Sequence, residues 1–299
     1  MRGLSRGFID ELKSGFLQPV LELVKRDFTL CLEIRKNYIN IYYRGGNILK
    51  IAEKGHVFDA SFDRKYLDEK QTRVRKGPTK LGTTNDVMAW IDEVPFLKHE
   101  MDLWFRKHPK DEREFQQLMV RENNFGNSAK STDYFICDIE YAEGKKRFDL
   151  IAVHWPSTSV DRKNNTGLGL AFIEMKYLDK AMAWKTGLLE HIQGINEFLG
   201  DRANLINIKD EMKQVFNQKR ELGLINNEMP IESFSEDEPE YILALANHDP
   251  ESSILKRELA ERPACPHAEL RFVVSSFMGY GLYQEHIYTF DDFKRRFLD

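Results

Sequence analysis

Two short apolar segments of this chain carry charged side chains at defined positions. Asp149 lies inside the first segment, and Glu174 and Lys176 follow at the end of the second, 25 residues later. Residues 168–173 predict a buried strand, because they are apolar and follow the turn-forming residues 164–167. Alternate side chains of a strand share a face, which puts Glu174 and Lys176 on one face, about 6.6 Å apart. Two charges in this position require a partner, a metal or water.

These three residues fit the chemistry of a hard divalent cation. Mg²⁺ prefers oxygen ligands and is commonly held by one or two carboxylates, together with water and substrate phosphate. Asp149 and Glu174 provide those carboxylates if their strands lie side by side, and the polar connection 156–167 is long enough for a wide hairpin. Lys176 can then hold a water or stabilise charge on a phosphoryl oxygen. The alternative is a structural Glu–Lys ion pair on a solvated strand face.

The arrangement resembles the PD-(D/E)xK nuclease superfamily, whose members cleave phosphodiesters with a divalent metal. The resemblance covers about residues 108–280, in the order helix, strand, strand, strand, helix, strand. Phe148 replaces the proline that usually precedes the aspartate. The resemblance implies that Asp149 and Glu174 bind Mg²⁺ or Mn²⁺, and that Lys176 orients or activates the attacking water.

Two further positions follow from the same resemblance. A helix at the start of the superfamily's core often carries a glutamate that completes the metal site, which implies Glu112, with Glu114 as the alternative. Acidic residues in a first helical turn also favour the helix dipole without any metal. Several exonuclease branches carry a glutamine on the helix after the Glu-x-Lys strand, and Gln193 has that position. Glu197 stands where those branches have tyrosine, so a solvated amide is the alternative.

Other polar residues near these segments are open to two interpretations. Residues 133–141 predict a strand with Asp138 and Glu140 on one face. Glu140 is either an extra ligand or part of the solvent side of an edge strand. His191, two residues before Gln193, is expected to be structural or exposed.

Two basic runs are candidate phosphate contacts. They supply the candidate nucleic-acid contacts Arg73, Arg75, Lys76, Lys145 and Lys146. The alternative for such runs is a solvated loop. The formal net charge of −4 gives no global indication of nucleic-acid binding. It does not exclude a nuclease, because an acidic site lowers the total charge.

The pattern of segments predicts an α/β protein of two domains. Residues 1–105 are expected to form a smaller N-terminal α+β domain, and residues 106–299 a restriction-endonuclease-like domain with a mixed sheet flanked by helices. Alternating residues within 28–51 predict an antiparallel meander, in which Gly45 and Gly46 supply the positive φ of a hairpin turn.

The helices of the first domain are predicted from their amphipathic spacing. Residues 1–24 predict one amphipathic helix, and residues 86–90 and 96–107 predict two further helical stretches.

The expected function is Mg²⁺- or Mn²⁺-dependent hydrolysis of DNA, or of RNA, in defence or repair, with endonuclease and exonuclease action both open. A homodimer, or a defence or repair complex, is a further expected assembly. The alternative is a catalytically inactive nuclease fold that binds nucleic acid or a protein. Three widely separated cysteines favour a reducing cytoplasm over a disulfide framework. No stretch approaches the ~20 apolar residues of a membrane helix.

Overall fold

The structure is a computed structural model, which describes all residues except 56, 68–73, 75–76, 127, 144–145, 179–186, 248–252, 261, 276–280, 283 and 298–299. Within the described residues, the protein is mixed α/β, with eight α-helices and two five-stranded sheets. The predicted α/β class is therefore confirmed. The chain divides into two compact units: unit 1 is Met1–Gln117 with Gln218–Leu224, and unit 2 is Leu118–Asn217 with Ile225–Asp299.

Unit 1 contains an antiparallel sheet in the order β1-β2-β3-β4-β5. Its strands are β1 (Leu30–Ile34), β2 (Tyr38–Tyr43), β3 (Gly46–Lys54), β4 (Val57–Ser61) and β5 (Lys80–Leu81). Every neighbouring pair is antiparallel, which confirms the predicted meander. In β2, Ile39 and Ile41 are buried while the residues between and after them are partly exposed, as the alternation of a strand with one covered face requires.

The turn between β2 and β3 differs by one residue from the predicted one. Arg44 and Gly45 have positive φ values of 47° and 69°, whereas Gly46 is already the first residue of β3 and pairs with Tyr43. Two consecutive positive φ values are typical of the two-residue type I′ turn, whose twist matches that of the flanking strands. The prediction that Gly46 supplies positive φ was therefore wrong.

The helices of unit 1 also depart from the predicted boundaries. They are α1 (Arg6–Ser14), α2 (Gln18–Arg26), α3 (Thr84–Lys107) and the first half of α4 (Asp111–Asn124). The single helix predicted over 1–24 is two helices, because α1 ends at Gly15 and α2 begins with Pro19 in its first turn. The two stretches predicted between residues 86 and 107 are one helix, α3, which continues through Pro95 on its exposed side.

The predicted domain boundary lies within one of these helices. The division expected between residues 105 and 106 falls in the last turn of α3, whereas the first part of unit 1 extends to Gln117.

A buried ion pair lies in the core of unit 1. The Nζ of Lys219 lies 2.7 and 2.8 Å from the two carboxylate oxygens of Glu33, and both side chains are 1% exposed or less. The Cys31 thiol donates to the same carboxylate at 3.4 Å, and burial, followed by the charge of Glu33, raises the pKa of that thiol. Segment 218–224 is therefore joined to β1 by a buried ion pair.

Unit 2 contains a mixed sheet in the order β10-β9-β8-β7-β6. Its strands are β6 (Tyr134–Glu143), β7 (Lys146–His154), β8 (Gly169–Tyr177), β9 (Glu240–Ala246) and β10 (Glu269–Ser275). β6, β7 and β8 are antiparallel neighbours, while β8, β9 and β10 run parallel. All but a few side chains of β8 and β9 are buried, as expected for central strands with residues such as Ile173 and Leu243.

Helical segments connect the parallel strands of unit 2. The remaining helices are α5 (Leu188–Leu199), α6 (Arg202–Glu221), α7 (Ser253–Glu258) and α8 (Phe290–Phe297). Along the chain, α5 and α6 lie between β8 and β9, and α7 lies between β9 and β10, which is the usual way of joining parallel strands. None of the helices in the described part of the chain has the length and apolarity to cross a membrane.

The buried pair in unit 1 makes a prediction about stability. Lys219→Met leaves Glu33 as a buried charge without its main partner, so we expect the free energy of unfolding of unit 1 to fall by about 3–5 kcal/mol. Urea unfolding followed by circular dichroism measures the loss. Replacing both partners, Glu33→Leu with Lys219→Met, should recover only part of it, because the buried guanidinium of Arg35, 3.8 Å from Glu33, then loses this ion pair.

The control for this measurement is an exposed ion pair in the same unit. Asp10→Ala removes the 2.6 Å pair between Asp10 and Arg6, whose side chains are both more than half exposed, and should leave the free energy of unfolding nearly unchanged. A Lys219→Met protein as stable as the Asp10→Ala protein would contradict the structural role of the buried pair.

Candidate functional site

The candidate site lies where two central strands of unit 2 part. β7 and β8 pair antiparallel from His154–Gly169 to Leu150–Ile173, which confirms that the two strands lie side by side. One residue beyond the last pair, the same register places Asp149 opposite Glu174. There the Oδ2 of Asp149 accepts the backbone N–H of Met175 at 2.9 Å. The backbone N–H of Met175 is thus bonded by a side-chain carboxylate, and not by a backbone carbonyl of the neighbouring strand, at the point where the strands separate.

Glu174 and Lys176 form a buried ion pair on β8. The Nζ of Lys176 donates to the Oε1 of Glu174 at 2.7 Å, and the two residues are 6% and 4% exposed. Both side chains lie on the same face because they are two residues apart on a strand. The predicted Glu-x-Lys pair is therefore present, and it is not the solvated surface pair of the alternative interpretation.

His191 on α5 completes this cluster. Its Nδ1 lies 2.8 Å from the same Oε1 of Glu174, and its Nε2 lies 3.1 Å from the Nζ of Lys176. These distances are satisfied when the imidazole carries a proton on Nδ1, donates it to Glu174 and accepts from Lys176 at Nε2. Two donors thus converge on one carboxylate oxygen, and Oε2 takes part in neither bond.

The surroundings of Glu174 act on its pKa in opposite directions. Burial is the largest influence and by itself raises the pKa, because a charged carboxylate is poorly solvated there. The hydrogen bond from His191 and the charge of Lys176 outweigh burial and hold the pKa of Glu174 below its usual value. Glu174 is therefore an anion near neutral pH, as a cation ligand has to be.

A cleft of about 410 Å³ opens beside this cluster. Glu174 and His191 line it, together with Arg147, Gln193 and Tyr241. The cleft makes the buried carboxylate reachable from outside, which a purely structural ion pair does not need.

One wall of the cleft is held by a chain of hydrogen bonds. Lys146 donates to Glu197 at 2.6 Å, and Gln193 donates to the other carboxylate oxygen of Glu197 at 3.1 Å. The bond from Lys146, followed by the bond from Gln193, lowers the pKa of Glu197. The predicted phosphate contact Lys146 is thus paired with a carboxylate, while its exposed neighbour Arg147 also lines the cleft.

Tyr241 on β9 forms the inner side of the cleft. It is 2% exposed, and burial, followed by the negative charges of Glu174 and Asp149, raises its pKa far above the usual value. Its hydroxyl is therefore protonated at any working pH.

The other predicted ligands belong to α4 and β6. Glu112 is half-buried in the first turn of α4 and belongs to unit 1, and its metal-site role stays a prediction. The alternative, Glu114, pairs with Arg44 at 3.1 Å within unit 1. Glu140 lies opposite Asp149 in the β6–β7 register and has a positive φ of 52°. Among the residues that the structure describes, no three His, Cys, Asp or Glu side chains are grouped as a metal site.

Several predicted nucleic-acid contacts cannot be placed against the site. Arg73, Arg75, Lys76 and Lys145 lie outside the described residues. Of the predicted contacts, Lys146 alone has a described position.

His191 and Tyr241 are the site residues that the sequence analysis missed. The signal for His191 is its helical spacing: it lies three residues after Leu188 and four before Ile195, and both of these are buried. That spacing places the imidazole next to the apolar stripe, whereas Gln193 lies outside the stripe and is exposed.

No family model, no curated protein and no solved structure matches this chain.

The hydrogen bond between His191 and Glu174 makes a prediction about pH. The pKa of Glu174 is lower in the folded protein than its ordinary value of 4.5, so the ionised carboxylate stabilises the fold at pH values above 4.5. This contribution is lost as the pH falls through the pKa of the folded state. His191→Ala removes the hydrogen bond, so we expect the pKa of Glu174 to rise, its contribution to stability to shrink, and the loss to be complete at a higher pH. Carboxyl ¹³C shifts measured against pH report that pKa directly.

His286→Ala is the matched control, since it removes an exposed imidazole that lies 3.7 Å from Glu285. It should leave the pKa of Glu174 unchanged. An equal pKa of Glu174 in the wild-type and His191→Ala proteins would rule out the described role of the imidazole.

Proposed function

We propose that this protein is a divalent-metal-dependent nuclease of the PD-(D/E)xK type, which hydrolyses phosphodiester bonds of DNA. The proposal rests on one observation: Glu174, which lines an open cleft, forms a buried ion pair with Lys176, and Asp149 accepts the backbone N–H of the adjacent Met175. Titratable groups in a cleft whose pKa is shifted by burial and by a charged partner are typical of functional sites.

Stability alone is a poor reason for this ion pair. Removing two charges from water carries a desolvation penalty that their mutual attraction often fails to offset, and apolar residues of similar volume are frequently at least as stable. Here Glu174 and Lys176 stand in a strand whose other side chains are almost all buried and apolar. A chemical role at the cleft explains why Glu174 and Lys176 occupy positions where packing favours apolar side chains.

The donor set fits Mg²⁺ or Mn²⁺. Mg²⁺ is usually bound through one or two carboxylates, with waters and substrate phosphate in the remaining positions. Asp149 and Glu174 supply two carboxylates, so a third protein ligand is not required by this chemistry. The hydrogen bonds from Lys176 and His191 both go to Oε1 of Glu174, so we assign Oε2 to the cation.

Each side chain has a separate task in the proposed reaction. A cation held by Asp149 and Glu174 would supply Lewis acidity and a more acidic water. Lys176 keeps an ammonium beside Glu174, where it orients the attacking water or neutralises charge that develops on the phosphoryl oxygens. His191 fixes the positions of Glu174 and Lys176 through its two ring nitrogens. Arg147, on the rim, is placed to attract a phosphate.

The order of strands in unit 2 supports the finer fold proposal. Three antiparallel strands, β6 to β8, continue into two parallel ones, β9 and β10, and helices lie between the parallel strands along the chain. We propose on this ground a restriction-endonuclease-like domain in unit 2. DNA is the proposed substrate, with RNA as the alternative. A homodimer, or a defence or repair complex, stays a prediction from the resemblance.

A second candidate function is binding of nucleic acid or protein by a nuclease fold without cleavage. One observation favours it: within the described residues, no three potential ligands come together as a metal site, and Oε1 of Glu174 is already shared by two donors. Metal binding separates the two candidates, because a catalytic site has to hold the cation and an inactive one does not.

The nuclease proposal predicts metal-dependent cleavage that requires Lys176. Supercoiled plasmid, linear duplex, single-stranded DNA and single-stranded RNA are incubated with Mg²⁺, Mn²⁺ or EDTA, and products are followed on gels. We expect cleavage with metal, none with EDTA, and a rate at least about 100-fold lower for Lys176→Met, because the ammonium that stabilises transition-state charge is lost. Asp149→Asn should weaken Mn²⁺ binding in calorimetry.

The matched control is Lys163→Met, which removes the charge of an exposed lysine in the same unit. It should cleave like the wild-type protein, and the thermal unfolding of every variant shows whether it is folded. Cleavage by Lys176→Met at the rate of Lys163→Met, or wild-type cleavage that persists in EDTA, would contradict the nuclease proposal. DNA binding without Mn²⁺ binding or cleavage would favour the second candidate.

His191 is expected to affect the same reaction indirectly. Residues that orient a metal ligand typically contribute about 10- to 100-fold to metal affinity or activity. We therefore expect His191→Ala to weaken Mn²⁺ binding by about this factor, measured by calorimetry. Glu190→Ala, which truncates an exposed neighbouring residue of the same cleft, should have a smaller effect. Similar losses in both variants would contradict a specific role for the imidazole.

A further inference from the structure

Unit 1 has a groove of its own on the exposed side of α3. Its volume is about 900 Å³, within the range of roughly 300–1,000 Å³ that is usual for ligand sites. Phe96, Leu103, Trp104, Arg106 and Lys107 are among its lining residues. The function proposed for unit 2 makes no use of this groove.

Apolar side chains in the groove face solvent. Phe96 is 50% exposed and Leu103 is 45% exposed, although α3 also has a buried side that contains Leu97 and Met101. Phe96 and Leu103 are seven residues apart, so they lie on the same face of the helix. Large apolar side chains that are exposed together typically mark a binding surface.

An aromatic cluster fixes the inner end of the groove. The ring of Trp104 packs edge-on against Tyr66, with 5.1 Å between the ring centroids, and stacks on His108 at 4.4 Å. Trp104 is therefore held in one orientation by its neighbours. A rigid ring loses little conformational entropy when a ligand packs on it.

The accessible charge along the groove is positive. Arg106 and Lys107 are exposed in the last turn of α3. Among the described residues that line the groove, the only acidic one is Glu100, which is 8% exposed. The groove thus presents cations next to exposed aromatic and apolar side chains, and an anionic ligand with flat apolar parts complements it.

We propose that this groove binds a single-stranded segment of nucleic acid, with bases against Phe96 and Trp104 and phosphates beside Arg106 and Lys107. Aromatic side chains in a positively charged groove are the usual means of binding single strands without sequence preference. A single strand is favoured over a duplex, because only unpaired bases can turn a flat face toward a protein ring. The proposal is independent of cleavage in unit 2, since binding needs no metal.

The test measures binding of the full chain in EDTA by fluorescence anisotropy. The ligands are a labelled single strand of DNA of about 16 nucleotides, a duplex of the same length, and polyglutamate as an acidic peptide. We expect the wild-type protein to prefer the single strand, and Phe96→Ala to weaken that binding about tenfold through lost stacking. Because binding is measured in EDTA, metal-dependent cleavage does not contribute to it, and Lys163→Met, at an exposed lysine of unit 2, should bind as the wild type does.

Charge is tested with a pair of substitutions and a matched pair. Arg106→Gln with Lys107→Gln should lower the slope of log affinity against log salt by about 1.4, since each phosphate contact to a single strand contributes about 0.7. Lys25→Gln with Arg26→Gln is the control, because this pair is likewise exposed in the last turn of a helix, α2. Phe28→Ala, at a side chain that is 70% exposed, is the control for Phe96→Ala.

Three outcomes would overturn the proposal. The first is equal binding by the Phe96→Ala and Phe28→Ala proteins, and the second is an equal loss of salt dependence in the two charge variants. The third is binding of polyglutamate, but not of the single strand, in a manner that depends on Phe96. That result would assign the groove to an acidic protein segment instead.

Discussion

The candidate site depends on the neutralisation of one buried carboxylate. Glu174 ionises in a place where burial disfavours its charge, because Lys176 and His191 both direct a hydrogen toward its Oε1. Without these two partners, an anion in this strand would be strongly unfavourable. The partners come from the same strand and from α5, so the position of that helix and the charge of the cleft depend on each other.

The separation of β7 from β8 gives this charge access to the exterior. A sheet that continued its ladder past Leu150 and Ile173 would have closed the gap with backbone hydrogen bonds. Instead, Asp149 bonds to the N–H of Met175 and keeps the strands apart without leaving that donor unsatisfied. The irregularity continues on β6, where Glu140 has a positive φ. Irregular backbone within a strand is often found beside a functional site.

The strands of this protein could be predicted from the sequence because their signal is local. Short apolar or alternating runs predict β6, β7 and β8 of unit 2, and alternation predicts the first three strands of unit 1. Helix ends were harder, since the break at Gly15 and the continuation through Pro95 depend on competing local preferences. The turn at Arg44 was misplaced by one residue because the partner strand, not the glycine pair, sets the register.

The candidate site was predictable only in part. Asp149, Glu174 and Lys176 stand out because charge is rare in apolar strands, and their neighbourhood follows from strand pairing. His191 and Tyr241 come from α5 and β9, and their approach to Glu174 depends on packing over a long separation in sequence. Helical spacing contained a hint of His191, since Leu188 and Ile195 lie on the same stripe. Nothing local distinguishes Tyr241 from an ordinary core tyrosine.

The return of the chain into unit 1 at Gln218–Leu224 has a practical consequence for dissecting the protein. A fragment that stops at Gln117 loses Lys219 and leaves the carboxylate of Glu33 without that ammonium inside an apolar interior. A fragment that starts at Leu118 keeps Lys219 but lacks Glu33, the carboxylate that neutralises its ammonium. Neither half is a self-sufficient stretch of sequence, so genetic separation of the two units calls for a rejoined or permuted chain, rather than a single cut.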